Sequence, residues 1–382
     1  SGDICQNVAV PNKIIFNPDD MNGALYNIFF PVDMFENDAD KNEALEQLAF
    51  QLMPLETNMT DTSVFFLTEG RKILTAAMIT YYHQGMDFPQ ICKRIISSSW
   101  STLFSEIDQN GNYEAKQYIN SFEGTNEKNI AGCKQACDSA LKLFATNSHV
   151  YNAIGREREG KEAFTPEQLE NKNIFVVIQD SKLELYEPLV HIITAQCMEY
   201  FSNRDNNNQH TILMCLDEFA SFGHLEITPA LRKLRKKHVR IMVLTQSLAD
   251  IDLIYGRDER MAMLNNFAYK IVLGCSDSDT QEYFSRLIGE KEVYRKAVSK
   301  NGKQVTNTRT EAKERIVPPA ELARLGRHMI LLAEGKYYKL TKNYYFELDL
   351  WDRVKKCINN LSRIQEEDFS EKNTLSLTDE NK

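Results

Sequence analysis

The sequence has 382 residues, of which 42% are hydrophobic and 26% are charged. This composition is that of an ordinary globular protein, and the length is enough for about two or three domains with apolar cores. The net charge of −9 means that any binding to nucleic acid has to come from a local basic patch. No apolar run approaches the roughly 18 residues of a membrane span, so the chain is expected to be soluble.

The chain begins with a short strand and then becomes helical. Lys13–Phe16 is an apolar run that ends at the turn residues Asn17-Pro18. Apolar residues at three- and four-residue spacing then predict an all-helical domain over 37–150. Its helices are predicted at Ala44–Leu52, Val64–Tyr82, Pro89–Ser97, Asn112–Phe122 and Asn129–Ala145.

From Asn173 onward, short apolar runs alternate with helix-like stretches. The runs are Ile174–Ile178, Ile212–Leu216, Ile241–Leu244, Lys270–Leu273 and Met329–Ala333, and the helices are predicted at Glu187–Phe201 and Pro229–Lys237. This alternation is typical of a parallel sheet covered by helices on both faces. The predicted architecture is therefore an α/β core formed by 1–36 and 151–350, with the all-helical domain inserted into it.

Two segments in the C-terminal part of the chain depart from this α/β pattern. Val293–Val317 has a turn signal at Asn301-Gly302 with basic, polar flanks, which predicts a protruding hairpin or loop. Residues 351–382 lose periodicity and become polar and acidic, which predicts a disordered tail.

An acidic pair follows one of the predicted strands. Asp217-Glu218 comes directly after the apolar residues of Ile212–Leu216, which is the Walker B pattern of nucleoside-triphosphate hydrolases. The carboxyl ends of parallel strands form the ligand-binding edge of an open sheet. There, one carboxylate can hold Mg²⁺ and the next can deprotonate an attacking water. The alternative is that the strand simply ends in two solvated acidic residues.

The next strand also ends in a polar residue. Arg240–Thr245 leads into Gln246, whose amide can donate to a γ-phosphate and accept from water. The alternative is that Gln246 caps the following helix. Finding both features one strand apart favours a nucleotide site.

A dense basic run lies between these two strand ends. Leu231–Arg240 contains six Lys or Arg among the nine residues from Arg232. Three interpretations remain open: a solvated helix face, an arginine finger for a neighbouring subunit's nucleotide, and a contact to a DNA backbone. The glycine-rich loop G-x-x-x-x-G-K-[ST], whose backbone N–H groups cradle phosphates, does not occur in the sequence. The chain by itself is therefore expected to bind ATP poorly.

In this order, the motifs resemble those of the TraG-like coupling proteins of type IV secretion and conjugation systems, which are hexameric RecA/FtsK-type DNA-translocating ATPases. The matching stretches are Leu216–Gly256, Asn265–Glu290 and Ile316–Gly335. Ser63–Tyr82 is similar to the start of the family's all-α domain. Asn27 is similar to its Asn-Pro segment, although Ile28 replaces the proline. The resemblance implies a RecA-like, mostly parallel nucleotide-binding core with an inserted all-α domain.

The resemblance also implies roles for individual residues. Asp217 corresponds to the Mg²⁺-linked carboxylate that helps to bind the nucleotide, Glu218 to the catalytic base and Gln246 to the γ-phosphate sensor. Arg235 corresponds to the arginine finger. This sequence has Lys236-Lys237-His238-Val239 where the family has an Arg-Gly stretch, which leaves Arg232 and Arg240 as alternative fingers. The candidates for nucleic-acid binding are Arg232, Lys233, Lys236, Lys237 and Arg240.

The function implied is that of the cytoplasmic part of a conjugative coupling ATPase, at the cytoplasmic side of the bacterial cell membrane. Its cofactors would be ATP and Mg²⁺. Its partners would be single-stranded DNA, a relaxase or relaxosome bound through the all-α domain, the secretion channel, and other copies in a homo-hexamer. ATP hydrolysis would pump the DNA toward the channel.

The family's phosphate-binding loop and membrane helices precede the stretch that the sequence covers. We therefore expect this sequence to be part of a longer protein, and expect this part alone to be monomeric, inactive and without tightly bound nucleotide. One alternative is a non-catalytic adaptor, without a phosphate-binding loop, that binds a relaxase or effector protein through its helical domain. Another is a plain DNA-binding module that uses Arg232–Arg240.

Overall fold

The computed structural model describes Val8 and residues 10–55, 59–157, 160–205, 207, 210–301 and 304–344, with the side chains of 296–308 outside the description. Over its described residues the chain forms two compact units. The first comprises Ser1–Leu216 and Ser221–Met242, and the second comprises Asp217–Ala220 and Val243–Lys382. The predicted tail, 351–382, and Gly302 of the predicted turn lie outside the described residues.

Strands of the first unit form parallel pairs that are separated widely in sequence. Those described are β1 (Lys13–Phe16), β2 (Leu25–Tyr26), β3 (Ala163–Phe164), β4 (Asn173–Val176), β5 (Ile212–Leu216) and β6 (Val239–Val243, whose last residue belongs to the second unit). β1 pairs in parallel with β4, β2 pairs in parallel with β3, and β5 is hydrogen-bonded to β6. Because a parallel pair needs a crossover, everything between β2 and β3 is an insertion between paired strands.

That insertion is helical, and it is called the helical segment below. Its helices are α1 (Phe30–Asp33), α2 (Asp38–Leu52), α3 (Asp61–His83), α4 (Phe88–Ser97), α5 (Trp100–Asn110), α6 (Tyr113–Asn120), α7 (Glu127–Thr146) and α8 (Ser148–Ala153). Each helix from α2 to α8 begins after a residue whose side-chain oxygen accepts a backbone N–H of the first turn. The caps are Asn37, Thr60, Asp87, Ser99, Asn112, Asn126 and Asn147.

Helix α5 is missing from the sequence-based prediction. The run Ser97-Ser98-Ser99 is typical of a loop, yet Ser99 is the N-cap and α5 begins at Trp100. Leu103 and Ile107, one turn apart, are fully buried. The helical spacing of apolar residues was therefore present in the sequence, immediately after the N-cap Ser99.

Close packing joins the long helices. Phe88 of α4 and Phe144 of α7 are at most 1% exposed, and their rings meet edge to face with centroids 5.4 Å apart. Gly70 lets α3 approach α7, since a Cβ at this position would lie 2.7 Å from the carbonyl oxygen of Cys133. None of the described helices is both long enough and apolar enough to cross a membrane.

Two helices of the first unit follow the helical segment and β4. They are α9 (Leu183–Ser202) and α10 (Ile227–Leu234). α9 begins four residues before the predicted Glu187, although it contains Pro188. Gln196 of α9 accepts a hydrogen bond from the Tyr26 hydroxyl at 2.5 Å and donates one to the carbonyl of Ile28 at 2.9 Å. These buried polar groups satisfy one another and attach α9 to β2.

Antiparallel pairing dominates the second unit. Its elements are α11 (Leu248–Asn266), β7 (Tyr269–Val272), α12 (Ser278–Ile288), β8 (Glu290–Asn301), β9 (Gln304–Arg315), α13 (Pro319–Leu322), β10 (His328–Ala333) and β11 (Lys336–Thr341). β10 lies between β7 and β11 and is antiparallel to both. β8 and β9 form a separate two-stranded ribbon, so the predicted hairpin is confirmed.

Strand β11 was not predicted, and the reason is its composition. Lys336–Thr341 is exposed along its whole length and lacks an apolar run. It is positioned by the turn at Glu334-Gly335, where both residues have positive φ, 52° and 72°. Such a turn matches the twist of a two-residue hairpin, so local geometry rather than burial positions β11.

The predicted buried strands are exposed on one face. In β5, Ile212 is 8% exposed but Leu213 is 61% exposed. In β7, Val272 is 4% exposed and Ile271 is 55% exposed. Successive side chains of a strand point to opposite faces, so each of these strands has one covered and one uncovered side.

Candidate functional site

The acidic pair lies in a tight turn directly after β5. Asp217 and Glu218 are exposed, whereas Leu216 before them and Phe219 after them are buried. The Asp217 carboxylate accepts the backbone N–H of Glu218 at 3.1 Å. Glu218 has φ 51°, in the left-handed region that a residue with a side chain rarely adopts. The turn therefore holds both carboxylates at the surface at a cost in backbone conformation.

Gln246 contacts the second of these carboxylates. Its amide nitrogen donates to the two carboxylate oxygens of Glu218 at 3.3 and 3.4 Å. The backbone N–H of Phe219 donates to the carbonyl of Leu244 at 2.9 Å, which joins the two backbone segments that carry these side chains. The two residues that the sequence singled out at separate strand ends therefore lie side by side, and their long hydrogen bonds leave both available to a ligand.

Gln246 is not the cap of the next helix. Ser247 is the N-cap of α11, with a reciprocal capping box to Asp250. The backbone N–H of Leu248 donates to the Thr280 hydroxyl of α12 at 3.0 Å. The start of α11 is thus held by its own capping box and by Thr280, which leaves the Gln246 side chain for Glu218.

A buried aromatic pair supports the acidic turn, and sequence reasoning gave it no role. Phe219 is stacked on Tyr255 of α11 with ring centroids 5.5 Å apart and an interplanar angle of 11°. Both rings are at most 2% exposed. Gly256, with φ 73°, interrupts α11 immediately after Tyr255. The only available signal was an aromatic residue beside the acidic pair.

The basic run Leu231–Arg240 is divided among three elements of the first unit. α10 buries Ile227, Ala230 and Leu234 and exposes Arg232 and Lys233 on its other side. Arg235–Lys237 form one turn of 3₁₀ helix, which His238 ends with φ 57°. Arg240 lies on β6 and donates to the carbonyl of Arg235 at 3.1 Å. Lys237 is half-buried, while Arg235, Lys236 and Arg240 are exposed.

The buried side chain of Arg204 is hydrogen-bonded to the basic run at Lys237. This residue was not identified from the sequence. Its side chain is 3% exposed and forms an ion pair of 2.6 Å with Glu170. It also donates to the carbonyls of His210 and Lys237 at 2.8 and 2.7 Å. These bonds hold the chain just before β5 and just before β6.

The donor set of the acidic turn fits Mg²⁺. This ion usually takes one or two carboxylates from the protein and completes its shell with water and substrate phosphates. Asp217 and Glu218 offer two exposed carboxylates. Over the described residues there is no cluster of three or more His, Cys, Asp or Glu that would enclose a metal. The residues present therefore match the metal side of a nucleotide site, and the phosphate-cradling loop is not among the 382 residues.

Solved structures of a conjugative coupling protein share this fold. TrwBdeltaN70 in its unbound monoclinic form matches with a TM-score of 0.71 at 22% identity, over 90% of this chain and 76% of that one. TrwB in complex with ADP and Mg²⁺ matches with a TM-score of 0.67 at 21% identity, over 90% of this chain and 77% of that one. At such identities the likeness defines the fold, a RecA-like mixed α/β architecture.

The sequence comparisons define the family. VirD4 of Agrobacterium fabrum is 23% identical over 195 residues, which is 49% of this chain and 28% of that protein. VirD4 of Rhizobium rhizogenes matches to the same extent. The match thus spans little more than a quarter of these relatives. The model of the family described as "Type IV secretory system Conjugative DNA transfer" matches residues 8–372, and this chain belongs to that family.

Proposed function

We propose that this chain is part of an ATP-driven DNA translocase that couples conjugative DNA to a type IV secretion channel at the cytoplasmic side of the membrane. The observation that carries the proposal is the contact between Glu218 and Gln246 beside Asp217, in a chain of the conjugative DNA transfer family. Structures of the similar TrwB contain ADP with Mg²⁺ and a non-hydrolysable ATP analogue, which supports ATP and Mg²⁺ as cofactors.

In this proposal each residue of the turn has one task. Asp217 would hold Mg²⁺, which when bound would neutralise charge on the nucleotide phosphates. Glu218, whose carboxylate is exposed, would accept a proton from the attacking water. Gln246 donates to Glu218 and so keeps its carboxylate oriented. The same amide can turn to a γ-phosphate, which links the presence of nucleotide to the position of the base.

The test is ATP hydrolysis by the whole protein that contains this chain. Glu218→Gln retains the shape and the hydrogen bonding to Gln246 but cannot accept the proton. We expect kcat to fall by about 100- to 10,000-fold with little change in nucleotide affinity. Glu184→Gln, an exposed glutamate of α9, is the matched control. Hydrolysis that survives Glu218→Gln would contradict the role of the base.

The arginine finger is tested by mixing subunits. We propose that Arg235 acts on the nucleotide of the neighbouring subunit in a homo-hexamer, with Arg232 and Arg240 as the alternatives. In a random mixture of Arg235→Ala and Glu218→Gln subunits, about a quarter of the interfaces combine an intact Glu218 with an intact Arg235. Activity should therefore return on mixing two inactive variants. Recovery with Arg232→Ala or Arg240→Ala instead would assign the finger to that residue.

We also propose that the basic run contacts the transported single-stranded DNA through Arg232, Lys233, Lys236, Lys237 and Arg240. The helical segment would bind the relaxase, since its helices carry exposed aromatic residues such as Tyr113, which is 73% exposed. Neutralising three of the exposed basic residues should reduce the slope of log K against log salt for single-stranded DNA by roughly two. Relaxase binding should survive that change and be lost when the helical surface is altered, as measured by calorimetry.

A further inference from the structure

Helix α11 of the second unit is interrupted near its middle. Its first half is 248–255 and its second half is 257–266. Between the halves, Gly256 has φ 73° and ψ 164°, a backbone conformation that is essentially restricted to glycine. A Cβ at this position would meet no atom within 4 Å. The backbone conformation, rather than a lack of space, therefore favours glycine here.

The interruption changes which side of the helix is buried. The first half buries Leu248, Ile251 and Tyr255, at the three- and four-residue spacing of one helix face. The next buried residue is Arg260, five positions after Tyr255. In a straight helix, five positions would turn a side chain by about 140° away from that face. The break at Gly256 therefore lets both halves of α11 bury side chains.

A buried ion pair spans the break. Arg260 Nε, in the second half, lies 2.6 Å from Asp252 Oδ1, in the first half, and the Arg260 side chain is 8% exposed. Both atoms are buried, and among the described residues neither makes an aligned hydrogen bond. In a straight helix, eight residues would separate the two Cα atoms by about 12 Å, so the bend brings the side chains together. Attraction between opposite charges thus favours the bent form.

Helix α12 supports both halves of α11. The Thr280 hydroxyl accepts the backbone N–H of Leu248, at the start of the first half, at 3.0 Å. The guanidinium carbon of Arg260, in the second half, lies 5.8 Å from the ring centroid of Tyr283. Thr280 and Tyr283 are three positions apart and therefore lie on the same side of α12. One face of α12 thus holds the two halves at their bent angle.

The first half of α11 adjoins the acidic turn at both of its ends. It begins just after Gln246, whose amide donates to Glu218. It ends at Tyr255, whose ring is stacked on that of Phe219, the residue after Glu218. A change in the direction of this half would therefore displace both members of the Glu218–Gln246 contact.

We propose that Tyr255 and Arg260 are positioning residues for the hydrolysis of a nucleoside triphosphate. The bend at Gly256 keeps Tyr255 against Phe219 and so fixes the backbone that carries Glu218. A backbone conformation that costs free energy and buried polar atoms without aligned hydrogen bonds are both features of functional sites. The inference rests on the proposed function, because it takes Glu218 as the base.

The first test is hydrogen exchange of the acidic turn, 217–220, in the whole protein without nucleotide, followed by mass spectrometry. Arg260→Met retains an apolar side chain but removes the charge that joins the two halves of α11. We expect the turn to exchange at least about 10-fold faster, because it loses its support. Arg260→Lys retains the charge and should exchange at a rate nearer to that of the unaltered protein.

A second variant changes the bend without removing a side chain. Gly256→Ala is disfavoured by φ 73° and should also speed exchange of the acidic turn. We expect kcat for ATP to fall by about 10-fold and KM to change by less than about 2-fold, since the groups that hold the nucleotide are unaltered. Gly124→Ala is the matched control, with φ 76° and open space between α6 and α7. It should leave exchange of the turn and hydrolysis unchanged.

A double variant separates positioning from general damage to the fold. If Arg260 acts through Glu218, Arg260→Met should lower kcat by about 10-fold in the unaltered protein. In a Glu218→Gln background it should lower the remaining rate by less than about 2-fold. Equal losses in the two backgrounds would overturn the proposal, since damage to the fold does not depend on the base.

The exchange measurement also keeps this proposal separate from the proposed function. Exchange of 217–220 that is unchanged by both Arg260→Met and Gly256→Ala would overturn the positioning role, whatever the rates of hydrolysis. If hydrolysis survives Glu218→Gln, the assignment of the base is wrong. Faster exchange in Arg260→Met would then still show that α11 positions the acidic turn.

Discussion

The helical segment and the acidic turn after β5 are built in opposite ways. In the helical segment, caps begin each helix from α2 to α8, and rings such as Phe88 and Phe144 are sealed from solvent. In the acidic turn, Asp217 and Glu218 are exposed, Glu218 has a left-handed backbone, and its contacts to Gln246 exceed 3.2 Å. Local preferences agree with the fold in the first region and are violated in the second.

This difference teaches where to look for chemistry in such a chain. A region in which propensity, capping and burial agree has a single well-determined structure and owes its residues to stability. We therefore propose that a ligand, rather than stability, accounts for the exposed Glu218 carboxylate in its left-handed turn. Substitutions in the two regions should therefore have opposite profiles of stability and activity.

The largest loss of stability is expected in the helical segment. Phe144→Ala removes a fully buried ring that packs edge to face on Phe88 and leaves a cavity between α4 and α7. We expect a loss of about 3–5 kcal/mol in the free energy of unfolding, measured by urea denaturation. Tyr113→Ala, at a position 73% exposed, should change it by less than about 0.5 kcal/mol. A small effect of Phe144→Ala would show that the segment is loosely packed.

A somewhat smaller loss is expected beneath the basic run. Arg204→Ala removes the ion pair to Glu170 and the hydrogen bonds to the carbonyls of His210 and Lys237. We expect a cost of about 3 kcal/mol and faster hydrogen exchange around β6. Arg204→Lys retains the charge but not the forked geometry and should lie in between. Equal stability of all three proteins would contradict the anchoring role.

Asp33 of α1 forms an ion pair of 2.7 Å with Arg156, and this partly buried pair gives a pH-dependent effect of intermediate size. Burial raises the pKa of Asp33, but hydrogen bonds from Arg156, Asn27 and Tyr82 lower it further, so the pKa lies below its usual value near 4. The stabilisation is therefore complete above the unfolded pKa and is lost as the pH falls through the folded pKa. Asp33→Asn should cost about 1 kcal/mol at pH 7 and progressively less below about pH 4.

The measurement is the free energy of unfolding in urea, for Asp33→Asn and the unaltered chain, at pH 7 and below about pH 4. Asp108→Asn, on an exposed carboxylate of α5, should show no difference at either pH. A deficit of Asp33→Asn that grows on acidification would show that the pair does not stabilise the folded chain in its ionised form.

The smallest expected effect has the opposite sign. Glu218→Gly removes a side chain from a position with φ 51°, where glycine is favoured. The relief of about 1–2 kcal/mol is partly offset by the entropy of glycine, so stability should rise by up to about 1 kcal/mol. Hydrolysis by the whole protein should disappear. A less stable Glu218→Gly variant would show that the carboxylate is retained for structure, which would remove the contrast between the two regions.

The sequence predicted more of the fold than of the support around the site. The strand Ile212–Leu216 was predicted to the residue, because an apolar run followed by two carboxylates marks both the strand and its end. The α/β class with a helical insertion is confirmed by the parallel pairs β1–β4 and β2–β3 on either side of that insertion. Helix α5 was not predicted because its N-cap, Ser99, lies in a run of serines that is typical of a loop. Strand β11 was not predicted because a turn, rather than a buried apolar face, positions it.

What the sequence determined by itself is the set of chemical groups: the carboxylates of Asp217 and Glu218, the amide of Gln246 and the basic run Leu231–Arg240. Their order along the chain was enough to indicate the family. Only the tertiary structure showed that Gln246 donates to Glu218 rather than capping α11. Only the structure showed that Arg204 and the stacked Phe219–Tyr255 pair support their surroundings. The reason is physical: periodicity records which face of one element is buried, whereas contacts between residues far apart in sequence depend on how the elements pack.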